Sequence, residues 1–189
     1  MFSFAKIATF AVLAFGTLAS AIPASVAAPE AGELATRASQ DISTILTNLN
    51  NDLKAPLGEL NGMTASTATV DNVNTHVQAV KTMIQTATTA IGSAKGTGNG
   101  NPLMLVGTTI NSVMTAANKA HSVSKDKTNV LVVIKILDPV LAALVALVLK
   151  LVGNILTIVV GLLVGVLGAV TELIIGLDFV LLGRVLFIF

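Results

Sequence analysis

Two histidines, His76 and His121, are the only imidazoles in the chain, and they fall in separate helical segments. Neither has a carboxylate or serine at the spacing of a triad, nor a second ligand at metal-binding spacing. Cysteine is absent, which excludes disulfides, thiolate metal sites and cysteine nucleophiles. The glycine-rich stretch GTGNGNP, Gly96 to Pro102, invites comparison with phosphate-binding loops. No strand is expected before it and no Lys-Ser/Thr pair follows, so it reads as a flexible connector. No paired carboxylates or nucleophile elbow occur elsewhere. These residues predict a protein that is not an enzyme and holds no metal or cofactor, with both histidines solvated on helix surfaces.

Composition points elsewhere. Hydrophobic residues make up 53% even before glycine is counted, and charged residues only 11%, less than half the share of about 25% usual in soluble domains. The net charge of +1 supplies no basic field, so no nucleic-acid partner is expected. Such a chain either carries a membrane-like segment or covers an interface.

The N-terminus has the organisation of a secretory signal, residues 1–21. Lys6 provides the positive charge, Ile7 to Leu18 a short apolar run, and Ala19-Ser20-Ala21 a small-residue cleavage site with Ala19 and Ala21 flanking Ser20. The mature chain is expected to begin at Ile22. None of its asparagines begins an Asn-x-Ser/Thr sequon, although MTASTAT, Met63 to Thr69, is a candidate for O-linked sugar as well as a solvated connector.

The mature chain divides by composition into a polar half, residues 22–128, and an apolar half, residues 129–189. In the latter, 44 of 61 residues are Ala, Val, Ile, Leu or Phe. Three amphipathic helices are predicted in the polar half. The first carries Leu34, Ala38, Ile42, Ile45, Leu46, Leu49 and Leu53 on one face, with Pro56 and Gly58 disturbing or ending it. The second carries Val70, Val73, Val77, Val80, Ile84, Ala87 and Ile91, with Thr69 as N-cap and Gly92 or Gly96 as stop. The third opens at Pro102 and carries Leu103, Val106, Ile110, Val113, Met114 and Ala117. Together they predict an antiparallel bundle.

The apolar half is also predicted to be helical, despite its Val and Ile content. Lys150, Asn154, Thr157, Gly161, Gly165, Gly168, Glu172, Gly176 and Gly183 recur at helical steps, interrupted only by Phe179. Gly161, Gly165, Gly168, Gly176 and Gly183 therefore form a candidate close-packing seam, and the first two make a GxxxG. The fold class expected is all-α: an amphipathic helical bundle followed by long hydrophobic, glycine-containing helices, with a helix break near Pro139.

The uncharged run Leu151 to Thr171 is long enough to span a bilayer. Against a single-pass anchor stand the recurring charges Lys135, Asp138, Lys150, Glu172, Asp178 and Arg184, a charge distribution opposed to the positive-inside tendency, and the absence of Trp and Tyr. The overall plan, with DISTILTNLNNDLKAPLGEL in the polar half and KILDPVLAALVALVLKLVGNILTIVVGLLVG in the apolar one, resembles the small cysteine-free secreted cell-wall and matrix proteins of mushroom-forming fungi. Those proteins function alongside hydrophobins in aerial growth and attachment. The amphipathic pattern around DISTILTNL is more weakly similar to fungal hydrophobic-surface-binding proteins and cell-wall mannoproteins. The resemblance implies a secreted, non-enzymatic amphiphile that self-associates and coats cell walls or hydrophobic surfaces, with lipid as another partner. The alternative is a membrane-anchored surface protein with Leu151–Thr171 as its span.

Overall fold

The computed structural model describes residues 40–152, Gly168 and residues 170–186, and these are mostly helical with no strand among them. The elements are α1 (Ile42–Asp52), α2 (Lys54–Gly62), α3 (Val70–Gly92), α4 (Pro102–Val123), α5 (Lys127–Ile134), α6 (Leu137–Val152) and α7 (Val180–Val185), with residues 170–176 also helical. Each helix start has a local chemical cause. Asp41, Thr69, Asn101 and Asp126 sit just before α1, α3, α4 and α5, and each side chain accepts the N–H of the residue three positions on.

Proline shapes two of the arms. Only Leu53 separates α1 from α2, and its N–H still donates to the Leu49 carbonyl while its own carbonyl accepts from Leu57. Pro56 offers no N–H to the carbonyl of Asp52, so the run is disturbed there without ending. Pro139 acts similarly as the third residue of α6. The Lys135 carbonyl, deprived of its partner four residues on, accepts the Asp138 N–H at 3.1 Å, and the chain breaks between α5 and α6.

The apolar stripes read from the sequence are the core. Ile42, Ile45, Leu46, Leu49 and Leu53 are buried, as are Val73, Val77, Val80, Ile84, Ala87 and Ile91, and Val106, Ile110, Val113, Met114 and Ala117. Leu34 and Ala38 lie outside the described residues. The three helices do not close on themselves, however. Helices α3 and α4 each pack against α1, α2, α5 and α6, whereas the α1–α2 arm and the α5–α6 arm lie on opposite sides. The result is a four-arm bundle whose fourth arm, α5–α6, comes from the apolar half. Residues Ala35–Phe189 cluster as one unit that spans the compositional boundary at Thr128. The physical reason is that three narrow stripes leave a seam open, and Val130, Ile134, Leu137, Leu141, Leu144 and Val148 fill it.

Because α3 and α4 sit diagonally, their connection must cross one end of the bundle. It does so over the start of α1. The carbonyls of Gly96 and Thr97 accept the N–H groups of Ile42 and Ser43 at 3.0 and 3.2 Å, and the Ser43 hydroxyl donates to Thr97 at 2.7 Å. Gly98 adopts φ +77, and a Cβ there would overlap the Asp41 carboxylate. The stretch expected to be a flexible connector is thus docked, and its carbonyls, the wrong polarity for phosphate, satisfy helix-terminal donors. At the other end the buried Ser124 hydroxyl donates to Ala68 at 2.8 Å, tying the α2–α3 connection to the start of the fourth arm.

Candidate interfacial surface

An apolar helix in a small protein must find cover for its bulky side chains, and α6 does so on one side only. Leu137, Leu141, Leu144, Val145 and Val148 are buried against the bundle. Facing outward are Pro139, Ala143, Ala146 and Lys150, at steps of four, three and four. Up to Lys150 the helix therefore turns its large apolar residues inward and shows proline, alanine and lysine to solvent. The continuous segment Lys127–Val152 is 26 residues and apolar enough to cross a membrane by length and composition, yet half of its most apolar window is buried within the protein.

Beyond the central segment the chain is fastened to the α5–α6 junction. Residues 170–176 end in a Schellman motif: the Phe179 N–H donates to Ile174 and that of Asp178 to Ile175, with Asp178 in the left-handed region at φ +54. Ile174 and Phe179, the apolar pair that accompanies this motif, are both fully buried. Asp178 reaches Lys135 at 2.6 Å in an exposed ion pair. Asp138, only 7% exposed, accepts the N–H groups of Leu181 and Leu182 at 2.9 and 2.7 Å, capping α7 from a distant part of the sequence.

Around this fastening lie large apolar side chains that the bundle leaves uncovered. Val132 is 63% exposed, Ile175 54%, Leu181 45% and Leu151 42%, and the remaining exposed large apolar residue among those described is Met104 on α4. Val132 stands three residues before Lys135, Ile175 three before Asp178, and the N–H of Leu181 is held by Asp138. Three exposed apolar side chains thus lie within about one helical turn of the Lys135–Asp138–Asp178 cluster. Charged and apolar groups alternate there, a pattern suited to contact with a surface that is itself partly wet.

Of the seam glycines, Gly161 and Gly165 lie outside the described residues, as do Ala19 and Ala21 of the cleavage site. Gly168 and Gly176 are exposed, with open space where a Cβ would stand, while Gly183 is buried. Among the described residues, nothing packs within 4 Å of a Cβ placed at Gly168 or Gly176. His76 and His121 are both half-buried, and burial first, then the Lys127 charge, lowers the pKa of His121. No group of three or more His, Cys, Asp or Glu side chains that could hold a metal occurs among the described residues.

Asp138 and Phe179 were the positions least visible in the sequence. Their signal was nevertheless present: a lone carboxylate inside an apolar run must find donors, and an aromatic interrupting a polar stripe must find a core. No family model, curated protein or solved structure matches the chain.

Proposed function

We propose that the protein is a secreted, non-enzymatic structural amphiphile that coats cell walls and hydrophobic interfaces and associates with itself there. The observation that carries this reading is the placement of exposed apolar side chains. Four of the five exposed large ones among the described residues belong to the apolar half, and three of those surround the Lys135–Asp138–Asp178 cluster. Single exposed apolar residues are ordinary, but a grouping at one corner is what an interfacial contact requires. The signal-like N-terminus supplies the route to the exterior, and the run from the exposed Leu151 to Thr171 is uncharged in sequence. Self-association would bring copies together through the same corner.

A membrane-anchored protein is the second reading, favoured by the length and apolarity of Lys127–Val152 and of the Leu151–Thr171 run. The burial of half the first segment within the bundle weighs toward the coating role.

The test uses surface substitutions, since removing residues 129–189 would strip the bundle of its fourth arm. The mature chain is expected to lower surface tension and make a hydrophobic solid wettable. The triple variant Val132→Ser, Ile175→Ser and Leu181→Ser should keep its helical circular dichroism and lose much of that activity. Equal activity in the variant would show that the corner is not the coating element. Fractionation of producing cells into medium, salt-washed wall and detergent extract separates the two readings: recovery only in detergent would favour the anchor.

A further inference from the structure

Helices α2 and α4 belong to adjacent, parallel arms, and an open cleft of about 440 Å³ runs between them. Its rim consists of uncharged hydrogen-bonding groups, Asn61 from α2 and Asn111, Ser112 and Thr115 from α4. None of these four side chains makes a hydrogen bond within the described protein, so their amides and hydroxyls remain available. At the base, Asn50 is engaged through both its amide and its oxygen. Its amide donates to the Leu105 carbonyl at 3.1 Å and its oxygen accepts from Thr109 at 2.7 Å, which fixes the spacing of α1 and α4 and pre-organises the cleft.

Electrostatics narrows the ligand. The cleft has no carboxylate among its described lining residues, and its single cation, Lys54, donates to the Asn51 side chain at 2.9 Å. A nucleic acid or other polyanion needs a denser positive field than one lysine supplies. A lipid tail would dehydrate the amides and hydroxyls of the rim without replacing their hydrogen bonds.

Gly58 supplies a further, steric argument. It lies mid-way along α2, where glycine is a poorer helix former than alanine. A Cβ at that position would meet nothing within 4 Å, so no neighbouring group demands a glycine. Its effect is to leave the cleft floor open beside Leu57.

A ligand that fits must be neutral, carry many hydroxyls, and present C–H faces to a small apolar floor. The geometry points to the α2–α4 cleft as a binding site for a neutral polysaccharide chain. This deepens the coating function and rests on it for the setting in which such a polymer is met: one side of the molecule would hold the wall while the Val132–Ile175–Leu181 corner faces the apolar boundary.

The experiment is depletion of the full mature chain by insoluble β-glucan and by chitin, in high salt and non-ionic detergent to suppress ionic and hydrophobic adsorption. Depletion by either polymer is expected, and comparing the two identifies which polysaccharide is held. Gly58→Phe fills the floor and should reduce depletion to background. The Asn111→Ala, Thr115→Ala double variant removes two rim groups and should weaken binding about tenfold, the loss from one to two hydrogen bonds. Both variants should retain helical circular dichroism and the surface activity of the parent. A parent that lowers surface tension but binds neither polymer overturns the cleft and leaves the coating role standing. Binding unchanged by both variants also overturns the cleft. A parent that is depleted, and released by Gly58→Phe, yet has no surface activity, supports the cleft and overturns the coating role.

Discussion

Replacing Asp138 with alanine tests whether one buried carboxylate holds the C-terminal elements in place. Its two oxygens accept the N–H groups of Leu181 and Leu182 at 2.9 and 2.7 Å. A hydrogen bond to a charged group contributes about 1.5–3 kcal/mol. The Leu182 bond is buried and falls within that range, whereas the Leu181 bond is only partly buried, so water would replace some of it. The alanine variant also leaves two donors of α7 without a cap, for a total of about 3 kcal/mol. That is a large share of the ~5–15 kcal/mol net stability of a typical domain. Asparagine keeps one acceptor oxygen and should lose about half as much. Urea unfolding followed by far-ultraviolet circular dichroism reads the global part. Hydrogen exchange at Leu181 and Leu182 reads the local part, which matters because α7 has only six residues and can detach before the bundle unfolds. Detachment should uncover Phe179 and Leu182, both fully buried, and raise surface activity. An alanine variant that unfolds within about 0.5 kcal/mol of the parent, with both amides still protected, would mean that Asp138 does not hold α7 in place.

Two further perturbations address other parts of the fold. Gly98→Ala places a Cβ against the Asp41 carboxylate at φ +77, so it should destabilise the chain by about 1–3 kcal/mol and undock the loop that satisfies the first donors of α1; thermal melting checks the stability and amide exchange at Ile42 and Ser43 the docking. For His121 the lowered folded-state pKa means that the unfolded chain binds more protons, so its contribution is present above the ordinary value of 6.5 and is lost as pH falls through 6.5 toward the folded value. The melting temperature should therefore drop slightly more between pH 7.5 and 5 in the parent than in His121→Gln, a small difference because solvent screens the half-buried imidazole.

Periodicity determined the helices. An apolar residue at every third or fourth position buries one face whatever it packs against, which is why the stripes of α1, α3 and α4, the cap Thr69 and the helix-opening Pro102 were legible one residue at a time. The helical reading of the apolar half beyond Val152 rested on the same periodicity. What closes the bundle was not legible there, because a stripe states that a face is covered without stating by what. Three amphipathic helices suggested a bundle of their own, and only the tertiary arrangement showed α3 and α4 set diagonally with α5–α6 as the missing arm. The same arrangement turned the Gly96–Pro102 stretch from a connector into a cap for α1, since a diagonal crossing must pass over a helix end.

The candidate surface divides likewise. The sequence located the apolar half by composition alone, since the hydrophobic content of a segment needs no geometry. Which of its side chains remain outside depended on three-dimensional packing. Leu141 and Leu144 are as apolar as Leu181 and Leu151, yet the first pair is spent in the core and the second is exposed, because α6 rotates its bulky face onto α3. Asp138 shows the same limit from the polar side: its sequence neighbours announce that it needs partners, but those partners lie more than forty residues away and reach it only when the chain folds back on the α5–α6 junction.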